Sequence, residues 1–454
     1  VQRQLSSFAR CGDPAHGFAR IYCPHCRREE FLAFSCKVRQ LCPCCCARRM
    51  NAQAAHLVDH VLPAVPLRQW VLTVPFEIRA LLAFDPKLLS LLRRIYVQET
   101  LRFFEVQLAS TGVLQPRGGA VNFAHRVDGA LRINPHFHTL VLDGAYDNAT
   151  RPQFHELSQL SLSDLESILS RIIARFVRAL RRRGLLPASG DSNQDIEIPE
   201  ELAQLAASVS AAVQQGSALG QGGEWITELG KAEASDFKID SEHHSVRLHG
   251  FSLYASPSVA ACATASRERL ARYIARPPIA ESRLSVMADG YILLRLKRSF
   301  RNGIHSVRLH PFAFIERLCT MLPRPRRHEL TYHGVLASGS RRRPRVIPKP
   351  TPRSRESDLP PRCRASQGCT KIAKSVPAPR ETKKPGARSN PYIHWPTLMQ
   401  RCFDIDVLLC PHCLGRRRII AFLEDPLVVH QILSHCGLLE SGSDPPLPVP
   451  AELF

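Results

Sequence analysis

Three groups of side chains in this chain have the types and spacing that chemistry needs. The first is a pair of knuckles, Cys23-Pro24-His25-Cys26 and Cys42-Pro43-Cys44-Cys45, with fifteen residues between them. Two Cys-x-x-Cys pairs can set four thiolates at the corners of a tetrahedron, which suits Zn²⁺, and the intervening length is enough for a hairpin that brings the turns together. Cys23, Cys26, Cys42 and Cys45 are therefore the expected ligands of a structural zinc. Cys44 and Cys46 leave the second knuckle's donors open, and Cys11, His16 and Cys36 offer donors for a further site.

The second group is Asn134-Pro135-His136-Phe137-His138, leading into the apolar run Thr139-Leu140-Val141-Leu142. On a strand, residues two apart share a face, so His136 and His138 present two imidazoles side by side while Phe137 points the other way. That is a divalent-metal clamp, or else two histidines on an ordinary sheet face. His125, on the preceding strand of an expected hairpin, is the candidate third ligand. The third group is Arg272-Tyr273-Ile274-Ala275-Arg276-Pro277-Pro278, a tyrosine flanked by arginines at the end of a short helix. A phenol with a pKa of about 10 is a poor nucleophile unless a cation or metal assists it. Arginines can hold a phosphate in line, but alone these residues fit a tyrosine packed at a helix end.

Two weaker signals lie towards the C-terminus. Cys410-Pro411-His412-Cys413 is half a zinc site, which Cys402, His430, His435 or Cys436 could complete; the bland alternative is a small turn with free thiols. The run Arg341-Arg342-Arg343-Pro344-Arg345 would add unspecific affinity for DNA.

The elements that must position these groups can be read in outline. Helices are expected over 50–62, 86–110, 163–183, 266–275 and 311–322, from apolar residues at helical spacing and from charge and proline signals at their ends. Strands are expected over 69–74, 120–126 and 131–142, the last two turning at Asp128-Gly129, with alternation over 245–253 and a hairpin over 284–296 that turns at Asp289-Gly290.

The 454 residues allow two or three domains, and 44% hydrophobic residues can supply their cores. The net charge of +21 points to a polyanionic partner, most commonly nucleic acid. No apolar run approaches 18 residues and no charged-then-apolar N-terminal pattern occurs, so a soluble, cytoplasmic protein without membrane contact is expected. For the 16 cysteines, a reducing compartment favours zinc over disulfides. The chain begins with Val1, which suggests an alternative start codon or a fragment.

The expected organisation is a zinc-binding, DNA-binding module over 1–62 and a catalytic domain over 63–348 carrying a flexible insertion at 187–230. A basic disordered linker then spans 349–389 and a small C-terminal unit 390–454. From Arg324 to Arg388 there are 18 Lys and Arg against four acids, with frequent Pro and Ser, which cannot bury a core.

Taken together and in this order, the motifs resemble the IS91 family of rolling-circle transposases and its common-region relatives. The likeness runs from His16-Gly17-Phe18 through Ala33-Phe34-Ser35-Cys36-Lys37 and Cys45 to Met50, then Ala54 to His60 and Arg68-Gln69-Trp70-Val71-Leu72. It continues through the His-x-His strand ending Leu142-Asp143-Gly144, Arg272 to Pro278, Thr331 to Val335, and Asp404 to Cys413.

The resemblance implies an α+β fold, an antiparallel sheet with packed helices of the His-hydrophobe-His endonuclease type, preceded by a small zinc-binding module. It implies that His136 and His138 bind the catalytic metal, with Mg²⁺ or Mn²⁺ suiting an open site of waters and phosphate oxygens. It further implies that Tyr273 forms a 5′-phosphotyrosine link with single-stranded DNA at the ends of a mobile element and at its target, with Arg272 and Arg276 as phosphate clamps.

Two-tyrosine members carry their nucleophiles four residues apart. Here Arg269 takes the partner position, which resembles the single-tyrosine branch, and His125 stands where a glutamine is expected. Members usually carry a longer segment before the zinc module, so this chain is expected to be short at its start. A truncated DNA-binding relic without catalysis, and a plasmid replication initiator or relaxase with the same nicking chemistry, are the competing readings.

Overall fold

The computed structural model describes residues 2–157, 159–185, 238–240, 244–297, 299, 303–322, 328–348, 395–403 and 405–438. Helix α1 (Gln2–Ala9) leads into a hairpin of β1 (Phe18–Tyr22) and β2 (Glu29–Ala33), then α2 (Pro43–His60). Pro43 opens α2 at the position where a missing N–H costs nothing. Strand β3 (Leu67–Thr73), the short α3 (Arg79–Phe84) and the long α4 (Pro86–Ser110) follow. Asp85 caps α4, its carboxylate accepting from the Lys87 and Leu88 amides at 2.7 and 3.0 Å.

Strands β4 (Gly119–Val127) and β5 (Ile133–Leu142) form the expected hairpin. Asp128 closes its loop by accepting from the amides of Ala130 and Arg132 at 2.8 and 3.0 Å. The small hairpin β6 (Gly144–Tyr146) and β7 (Phe154–Glu156) precedes α5 (Leu162–Arg181), which starts with a capping box between Ser161 and Asp164.

Beyond it lie β8 (Lys238–Asp240), β9 (Ser245–Leu248) and β10 (Phe251–Ala255), and then α6 (Thr264–Ile274), which carries Tyr273. Strands β11 (Leu284–Val286), β12 (Ile292–Arg295) and β13 (Ser306–Leu309) form a separate three-stranded sheet. The remaining elements are α7 (Pro311–Met321), β14 (Leu330–Gly334), α8 (Arg343–Val346), α9 (Trp395–Phe403), β15 (Arg418–Leu423) and α10 (Pro426–His435).

The central sheet has seven strands in the order β14-β4-β5-β3-β10-β9-β8, and every neighbouring pair is antiparallel. One face, bearing Trp70, Leu72, Ala120, Ala124, Phe137 and Val141, packs on α4 and α5 in the largest apolar cluster. The other face, bearing Leu67, Val121, Leu140 and Leu142, packs on Ala54, Leu57 and Val61 of α2 and its end and on Ala271 and Ile274 of α6. Each helix thus buries one apolar stripe, and the alternation of β5 supplies both layers. The fold is the α+β arrangement expected, with the cysteine-bearing module at its N-terminal side.

Two expectations change in detail. The alternation over 245–253 is not one strand: His249 (φ 47°) and Gly250 (φ 74°) turn it into the hairpin β9–β10. The last segment is not a unit of its own, because β15 pairs with β1 and makes the N-terminal hairpin a three-stranded sheet, β15-β1-β2. Part of the arginine run 341–345 is also bonded to the fold. Arg342 donates to the backbone oxygens of Gln115, Tyr146 and Asp147, and Arg343 donates to that of Leu336. The insertion at 187–230 and the linker at 349–389 lie outside the described residues. No helix among the described residues is long and apolar enough to cross a membrane.

Candidate active site and cysteine clusters

Strand pairing brings the histidines together. His125 of β4 stands directly opposite His136 of β5, so the two share a face with His138. The ring centroids lie 5.2 Å apart for His125 and His136, 4.7 Å for His125 and His138, and 5.1 Å for His136 and His138. Burial lowers the pKa of all three imidazoles, with mutual repulsion adding to the effect at His125 and His138; His125 is pulled down to about 3. They are therefore neutral at neutral pH, the form in which imidazole ligates a metal.

Their second nitrogens are held differently. The His136 Nδ1 lies 2.6 Å from the Asn134 carbonyl and donates to it, which leaves Nε2 with the lone pair. The Gln69 amide of β3 meets Nδ1 of His138 at 2.9 Å. That amide nitrogen donates, so Nδ1 of His138 accepts and the neutral ring carries its proton on Nε2. His125 uses its Nε2 differently, donating at 2.8 Å to the carbonyl of Ile274 in the last turn of α6. As they stand, His136 keeps Nε2 free of a proton, His138 accepts from Gln69 through Nδ1 and His125 is committed to a helix carbonyl; among the described residues the three do not form a ready-made metal cluster.

That carbonyl belongs to the tyrosine helix. Arg267, Ala271 and Ile274 form the buried stripe of α6, and the Arg267 guanidinium donates to the backbone oxygens of Pro63 and Val65. Tyr273 is left half exposed beside the stripe, its ring edge-on to His138 with centroids 5.6 Å apart. Arg272 lies 4.0 Å from Glu268, and Arg276 is exposed just past the helix end.

Other side chains at the site carry no spacing signal in the sequence. Gln69 is one. Lys297, which follows β12, is another: its pKa is lowered to about 8 by loss of hydration and by the neighbouring Arg276 and Arg283, and its charge is felt at His125 and His138. Arg401 of α9 donates to both Asp59 of α2 and Glu268 of α6 and straps the two helices together.

The cysteines do not group as the sequence suggested. Cys23 and Cys26 do not meet Cys42 and Cys45. Among the described residues, two sets of four thiols have all their sulfurs within 4.8 Å of one another: Cys11, Cys36, Cys42 and Cys45, and Cys23, Cys26, Cys410 and Cys413. The reason is the start of α2. Cys42 caps it and Cys45 sits in its first turn, facing the α1 end and the loop after β2, while the Cys23 knuckle lies at the far end of β1. Cys44 is exposed and donates to Glu281, Cys46 is buried against Val38, and His16 lies beside Asp13. Cys436 is exposed, and neither His430 nor His435 joins a cluster. The side chain of Cys402 lies outside the described residues.

In the first cluster the sulfurs lie 3.4 Å (Cys11–Cys42), 3.8 Å (Cys11–Cys45) and 3.5 Å (Cys36–Cys45) apart. A zinc tetrahedron with Zn–S of about 2.3 Å has edges of about 3.8 Å, so the donor set fits zinc. Thiol donors from Cys42 and then Cys36 pull Cys45 down to about 4, and Cys42 is pushed up in return. Four sulfurs sharing protons in this way are a site where a cation replaces those protons.

Two stretches of the chain match known families. Residues 1–74 match the model described as "Transposase zinc-binding domain" of the IS91 type, and residues 119–344 match the model described as "Putative transposase" (Y2_Tnp). The sheet, the histidine face and the tyrosine helix fall within these two stretches, and the protein is a transposase. It belongs to the IS91 family. No curated protein and no solved structure matches the chain.

Proposed function

We propose that this transposase cuts and rejoins single-stranded DNA through a covalent link to Tyr273 in rolling-circle transposition. The observation that carries the reading is the seat of the tyrosine: its ring is edge-on to His138, and its helix ends in a carbonyl bonded to His125. The Tyr273 Oη attacks the scissile phosphorus and the bond to the 3′ oxygen breaks. The phenol gives up its proton, the 3′ oxygen takes one up, and a 5′-phosphotyrosine and a free 3′-hydroxyl result. Rejoining is the reverse attack by a 3′-hydroxyl. A divalent ion, Mg²⁺ or Mn²⁺, held by His136 and His138 with His125 beside them, would supply Lewis-acid stabilisation of charge on a non-bridging phosphate oxygen.

The chain's own groups bind and orient the DNA. Arg272 and Arg276 flank the nucleophile and can clamp the phosphate, and Lys297 adds positive charge to the same side. The net charge of +21 attracts the strand as a whole. The cutting machinery lies within residues 63–348, with α2 of the zinc module as its supporting wall.

The test is a cleavage assay on labelled single-stranded DNA from the element's ends, comparing the chain with Tyr273→Phe. A metal-dependent covalent adduct that the substitution removes supports the reading. Intact DNA binding with no adduct from the unaltered chain would sink it in favour of a DNA-binding relic.

A further inference from the structure

The second thiol cluster lies half outside both family matches, since Cys410 and Cys413 fall beyond residue 344. Its two halves are built alike. Each is a Cys-Pro-His-Cys tetrapeptide, and in each the residue after the second cysteine has positive φ, 58° at Arg27 and 57° at Leu414. In each the first cysteine's amide donates to the carbonyl five residues on, Cys23 to Arg28 and Cys410 to Gly415, both at 2.9 Å. These are two copies of one turn that points both sulfurs of a pair to the same side.

The copies face each other. Cys23 and Cys413, 390 positions apart in the chain, bring their sulfurs to 3.5 Å, and Cys26 and Cys410 bring theirs to 3.7 Å. These are edges of a zinc tetrahedron and far from the roughly 2.05 Å of a disulfide. The contacts around the sulfurs repeat the symmetry. Arg28 reaches His412 at 2.9 Å, and a Cβ on Gly415 would sit 2.9 Å from that of His25.

The backbone and the apolar core join the same two ends. Strand β15 pairs along β1 from Phe18↔Leu423 to Tyr22↔Arg418, and Arg417 is ion-paired with Glu30. Phe18 is fully buried against Val429 and Leu433 of α10, with Phe31, Leu423 and Ile432 packed around them. The core of the N-terminal hairpin is therefore supplied largely by residues from the other end of the chain.

We propose that Cys23, Cys26, Cys410 and Cys413 bind a second zinc ion, which clasps the last segment of the chain to the first and makes the zinc module a composite of both. Soft thiolates select Zn²⁺ over the hard ion of the histidine site. The clasp does not depend on the nuclease reading. If no covalent DNA adduct formed, the zinc count below would be unchanged.

The test is zinc stoichiometry by elemental analysis of the purified full chain, with hydrogen exchange of the β1 amides read on the same samples. The unaltered chain should hold two zinc ions, one per cluster. Cys410→Ser/Cys413→Ser should hold one, as should Cys23→Ser/Cys26→Ser, and the quadruple variant should also hold one. The zinc that remains reports that the rest of the module is folded. Exchange at Phe18–Tyr22 should rise in all three variants. A count of one in the unaltered chain, a count of two in Cys410→Ser/Cys413→Ser, or a further fall in the quadruple variant would overturn the proposal.

Discussion

Replacing Arg68 with methionine should destabilise the sheet by about 3–5 kcal/mol at pH 7. Arg68 lies near the start of β3 and Asp143 just past the end of β5. The guanidinium donates to both carboxylate oxygens at 3.0 and 2.9 Å and to the Ser256 carbonyl after β10 at 3.0 Å. Asp143 is only 1% exposed, so methionine would leave its charge buried and unpaired.

Urea denaturation of variant and parent at pH 7 reads the loss directly. Arg68→Met/Asp143→Leu, which removes both charges, should recover most of the loss. A single variant as stable as the parent, or a double variant no more stable than the single one, would refute the reasoning. The pair ties together three strands beside the histidines, and a slip of one residue would turn His136 and His138 to the opposite face.

Other outcomes follow from the same structure. Gly144→Ala puts a Cβ 2.1 Å from the His155 carbonyl; thermal unfolding should show a loss of about 2–4 kcal/mol through disruption of β6 and β7. Cys42→Ser should lower zinc content and, because α2 seats the tyrosine helix, also slow formation of the Tyr273–DNA adduct; zinc loss with an unchanged adduct rate would break that link. Lys297 carries its charge below about pH 8 and loses it above, where an ordinary lysine stays charged to about 10. Affinity for single-stranded DNA should thus fall between pH 7 and 9, and Lys297→Gln should flatten that fall in a fluorescence titration. His136→Ala should abolish tight Mn²⁺ binding at the histidine face, measured by electron paramagnetic resonance, with zinc content unchanged.

Local signals carried much of this structure. Helix α4 could be read residue for residue, because Asp85 and Pro86 mark its start and the apolar repeat runs to its end. The period of two put His136 and His138 on one face, and Asp128 closed the hairpin that set His125 opposite. What depends on distant pairing was not legible. The nearest cysteine pairs looked like partners, yet each completes its set elsewhere: Cys42 and Cys45 with Cys11 and Cys36, Cys23 and Cys26 with a knuckle at the other end of the chain. That choice is made by β1 pairing with β15 and by the direction of α2, neither of which leaves a trace in spacing. The turn at His249-Gly250 was hidden because the alternation continues through it. Lys297 belongs to no motif, Gln69 has no spacing that marks it within the Arg68 to Leu72 stretch, and both come to the site only through tertiary packing.

The double use of α2 bears on how such proteins can be recombined. Its first turn carries Cys42 and Cys45, and Ala54 and Leu57 further along pack beneath Ala271 and Ile274 of the tyrosine helix. A swap of the metal-binding segment between relatives, cut at the loop after residue 62, would import a foreign wall under the tyrosine helix. Chimeras should keep their function only when α2 and α6 come from the same parent. Over generations, substitutions on the two buried faces should be inherited as matched pairs.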